Sequence, residues 1–83
     1  MDREQLRDEI ISLIREELGL RTQVINENTS IVADFFRVHD LSKLIWAIEN
    51  DYAIVIEYKE GRILRTIGDL INITYEEILE RDK

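Results

Sequence analysis

The chain has no cysteine and no proline, three glycines and one histidine in 83 residues. Without cysteine there is no disulfide, no thiolate metal site and no thiol nucleophile. One histidine rules out a multi-histidine metal centre within a single chain. No apolar run approaches the ~20 residues that cross a bilayer. The first residues, Met1-Asp2-Arg3-Glu4-Gln5, lack the basic-then-apolar order of a secretory leader, so a cytoplasmic location is expected. Basic residues are also in deficit, 11 against 18 acidic, for a net charge of −7. Nucleic acid needs clustered Lys and Arg, and anionic membranes need the same, so neither is expected as a partner. A basic protein surface is the natural counterpart of such acidity, which otherwise serves solubility alone.

What remains is a globular composition, 45% hydrophobic, sized for one domain over residues 1–83 with a core only just sufficient. No linker, repeat or low-complexity stretch divides it. The first helix is predicted over 2–18. Asp2 with Gln5 three residues on forms a capping box, Leu6, Ile10, Leu13, Ile14 and Leu18 follow the helical period, and Gly19 supplies a left-handed stop. Residues 20–38 show no strong period. A connection of that length is tolerable if Val24, Ile31, Val32 and Phe35 pin it to the core. A second helix is predicted over 39–51, with Leu41, Leu44, Ile45, Ile48 and Tyr52 inward and Trp46 off that stripe.

The stretch 54–65 is locally ambiguous. Ile54-Val55-Ile56-Glu57-Tyr58, a turn at Lys59-Glu60-Gly61-Arg62, then Ile63-Leu64-Arg65 reads as a hairpin, which leaves a short β-ribbon open. The last helix starts at Thr66, whose hydroxyl caps it, with Asp69 in its first turn. Thr74-Tyr75-Glu76-Glu77 is a second capping box, predicting a break near Ile73 and a restart through Ile78-Leu79.

Set in order, several blocks carry a resemblance. Gly19-Leu20, then Thr29-Ser30-Ile31-Val32-Ala33-Asp34-Phe35, resembles the loop of acyl carrier proteins. Leu44 to Ile56 resembles the second carrier helix and its exit, and Thr66-Ile67-Gly68-Asp69-Leu70-Ile71 resembles the opening of the last. The resemblance covers about Ile10 to Ile73. It implies an all-α four-helix bundle with a long loop between helices 1 and 2, and a very short helix within 54–65. It also implies an Asp-Ser-Leu turn whose serine carries 4'-phosphopantetheine. This chain reads Phe35-Phe36-Arg37-Val38-His39-Asp40-Leu41 there. Counted forward from Asp34, the attachment serine falls on His39; counted back from Ala47, it falls on Val38. A one-residue deletion therefore lies in the functional turn, and neither residue can carry a phosphodiester-linked arm as serine does.

Ser42 is the one alternative attachment point, a turn further into the helix. Ser30 matches a structural loop serine, and Ser12 lies inside the first helix. His39 has a sequence neighbour in Asp40, but adjacent helical residues do not face each other, and a helix N-terminus disfavours imidazolium. No catalytic residue and no metal ligand is assigned, and the chain is not expected to be an enzyme. A small enzyme using His39 and a helical regulator without carrier ancestry remain as alternatives. Phe36 falls where the family commonly has glycine, and Arg37 and Lys43 replace acid on a face that docks on basic enzyme patches in the family. Phe36, Arg37, Leu41, Lys43 and Trp46 are therefore the candidate contact residues for a protein partner or a homodimer. The reading is an acyl carrier protein-like, protein-binding module without cofactor; the alternative is a working carrier of acyl or aminoacyl groups, with 4'-phosphopantetheine on Ser42.

Overall fold

The computed structural model describes residues 1–20, 22–31, 38–57 and 61–83, and for Val38 and His39 the backbone alone. Within them lie three helices: α1 (Arg3–Leu18), α2 (Val38–Tyr52) and α3 (Ile67–Arg81). No strand is present among the described residues, so the all-α expectation holds. The very short helix implied within 54–65 does not occur in the described parts of that stretch; residues 58–60 lie outside them.

Helix α1 forms because its ends are sealed and one face is apolar. The Asp2 carboxylate accepts from the Gln5 N–H at 2.7 Å, and Gly19, at φ 67°, turns the chain out while its N–H donates to the Arg15 carbonyl. Leu6, Ile10 and Ile14 are fully buried, and α1 packs against both other helices. Leu44 and Ile48 of α2 and Ile67, Leu70, Ile71 and Ile78 of α3 complete that core, with Leu20, Ile25, Ile31 and Ile54 from the connections. Burying each such side chain stabilises the fold by about 1.5–3 kcal/mol.

The long connection is pinned, but by a different set than expected. Ile31 is buried as anticipated. Val24 is 79% exposed, and its neighbour Ile25 takes the inward place. In an extended stretch neighbours point to opposite sides, so a one-residue choice decides which is core. Val32 and Phe35 lie outside the described residues. Backbone bonds strap the loop across the start of α3. Ile31 N–H donates to Arg65 O at 2.9 Å, Ile67 N–H to Thr29 O at 3.0 Å, and Gly68 N–H to Glu27 O at 2.9 Å. Ser30 and Thr66 form an isolated antiparallel bridge. The Arg3 guanidinium adds a clasp, donating to both oxygens of Glu27 at 2.6 and 3.1 Å and to Asn72 Oδ1 at 2.7 Å.

Helix α3 begins as predicted. Thr66 Oγ1 accepts from Asp69 N–H at 3.1 Å, and Asp69 Oδ2 accepts from the N–H groups of Arg65 and Thr66 at 2.9 and 3.1 Å. The break predicted near Ile73 is absent: α3 runs unbroken to Arg81. Thr74 is fully buried, and its hydroxyl donates to Leu70 O at 2.8 Å, one turn back. Leaving the helix there would pull Ile73 and Ile78, both buried, out of register.

The strand-like run after α2 alternates as its sequence suggests. Ile54 is buried, Val55 exposed, Ile56 half-buried and Glu57 exposed. The segment uses that alternation to cover the core, held by Ile54 N–H on Glu49 O at 3.2 Å and Ile56 N–H on the Glu49 carboxylate at 2.8 Å.

Candidate functional site

The start and outward face of α2 hold the residues singled out by sequence. The helix opens on Val38, followed by His39, so the two positions matching the lost serine are its first two residues. Phe36 and Arg37 lie outside the described residues. Asp40 sits in the first turn, where a carboxylate suits the positive helix end.

Helical spacing then sorts the rest. Leu41 is half-buried and packs against the core, which leaves only its outer edge for contact. Ser42 is exposed, a full turn inside a continuous helix. Lys43 is exposed too, and its ammonium donates to Glu17 O at 3.0 Å, tying α2 to the end of α1. Trp46 stands 66% exposed, four residues on from Ser42 and three from Lys43. Asn50 follows at the next turn, its side-chain amide donating to Trp46 O at 2.8 Å. Ser42, Lys43, Trp46 and Asn50 thus share one outward stripe.

Beside this stripe lies a feature that sequence reading missed. Ile45, Ile56, Leu64 and Ile73 line a cavity of about 150 Å³, with Glu57 and Arg62 at its polar edge. Its walls are mostly apolar, and it is partly open to solvent. The Arg62 guanidinium is mostly buried; it donates to Glu57 O at 2.9 Å and to the Glu77 carboxylate at 3.0 Å. The sequence signal is a lone arginine at the end of the Lys59-Glu60-Gly61-Arg62 turn, just before the apolar pair Ile63-Leu64.

Electrostatics elsewhere serve the scaffold. Hydrogen bonding to Arg3 holds the Glu27 carboxyl below the usual carboxylate range. Asp69 is held below it by the N–H groups of Arg65 and Thr66. Burial, then the Glu9 carboxylate that accepts its hydroxyl at 2.8 Å, raises the Tyr52 phenol. Among the described residues no group of three or more His, Asp or Glu could hold a metal ion. Nor is any of their helices long and apolar enough to cross a membrane.

No protein-family model matches the chain. Individual relatives do. It is 36% identical over 67 residues to the acyl carrier protein of Chlamydia caviae, covering 80% of this chain and 87% of the relative. It is 33% identical over 67 residues to that of Chlamydia felis, across 80% and 86% of the two chains. With the acyl carrier protein of Chlamydia muridarum it shares 31% identity over 72 residues, 86% of this chain and 94% of the relative. Identity of this degree along most of both lengths, on a helical scaffold with a strapped first loop, makes the chain a member of the acyl carrier protein family.

Proposed function

We propose that this member of the family carries no phosphopantetheine and works by binding protein, without chemistry of its own, in the cytoplasm. The observation that carries the reading is the start of α2. A phosphodiester-linked arm needs an accessible hydroxyl where the loop turns into the helix, and Val38 and His39 occupy the two matching positions. The residues present do not fit the prosthetic group.

The contact surface comprises the outward stripe of α2. Trp46 supplies a large amphipathic anchor, a residue type enriched at interface centres. Lys43 places a positive charge on this stripe, and Arg37 precedes it in sequence. A basic docking patch on an enzyme would be repelled here, so the partner differs from those of an acidic carrier helix. The outer edge of Leu41 extends the surface.

The second reading, a carrier loaded at Ser42, rests on that hydroxyl being exposed. The two separate in one experiment. The protein is incubated with coenzyme A and several phosphopantetheinyl transferases, and its intact mass is read. An unchanged mass is expected. A gain equal to one phosphopantetheine, lost in Ser42→Ala, would establish the carrier instead.

A further inference from the structure

We draw no further inference here: the strongest candidate, the exposed face of α2 around Trp46, belongs to the surface already described, and nothing in the structure shows what covers it.

Discussion

Gly68 shows how one residue can be fixed by a neighbour far along the chain. A Cβ placed there would stand 3.0 Å from the Glu27 carbonyl oxygen and 3.3 Å from Glu27 Cβ. That oxygen cannot withdraw without losing the 2.9 Å bond it accepts from Gly68 N–H. Glycine to alanine inside a helix ordinarily stabilises by up to ~1 kcal/mol. Here Gly68→Ala should reverse that sign and cost about 1–2 kcal/mol, read by urea denaturation. Ala53 presents the opposite case. It ends α2 at φ 53°, a left-handed conformation that glycine adopts freely and alanine does not. Ala53→Gly should therefore raise stability by about 0.5–1 kcal/mol in the same assay. Neither requirement was legible in sequence. Gly68 was expected as part of a family-like Thr-Ile-Gly-Asp block, but its reason is a contact with Glu27, and Ala53 looks like any helical alanine.

The helix ends were read more readily than the segments between them. Asp2, Gln5 and Gly19 set the limits of α1 through local bonds, and so do Thr66 and Asp69 for α3. The same pattern at Thr74 misled, because a capping box is a local signal and the burial of Ile73 and Ile78 overrides it. The alternation of Ile54 to Glu57 was also real, but its buried side faces the core. The backbone pairing that does occur joins Ser30 to Thr66, too far apart in sequence for any local pattern to reveal. The cap of α3 carries a pH dependence. Asp69 is held below the ordinary carboxylate range, so its contribution is complete above the unfolded pKa of about 4 and fades as pH falls through the lower folded value. Asp69→Asn should cost about 0.5–1 kcal/mol at neutral pH. The gap between variant and wild type should close as the solution is acidified below the folded value, as followed by thermal melts. A gap that stayed constant down to that pH would mean the ionised form adds nothing to the cap.

For the molecule as a whole, collinear spacing was more informative than any single motif. The loop from Gly19 to Ile31 lacks periodicity, and only its likeness to a carrier loop made it credible as ordered structure. Its actual supports, Ile25 and the straps onto α3, depend on packing that spacing does not encode. The face of α2 was half legible. Trp46 stands outside the apolar stripe and is exposed, whereas Leu41, expected in the contact surface, leans on the core. Because Trp46 makes little contact with that core, Trp46→Ala should change folding stability by no more than about 0.5 kcal/mol. The indole in the dilute protein should emit at the long wavelength of a water-exposed ring. On the proposed reading, nothing is loaded onto this family scaffold. The intact mass of the protein isolated from its own cells decides that point. The sequence mass with no phosphopantetheine adduct is the expected result, and a covalently bound pantetheine arm at any position would contradict it.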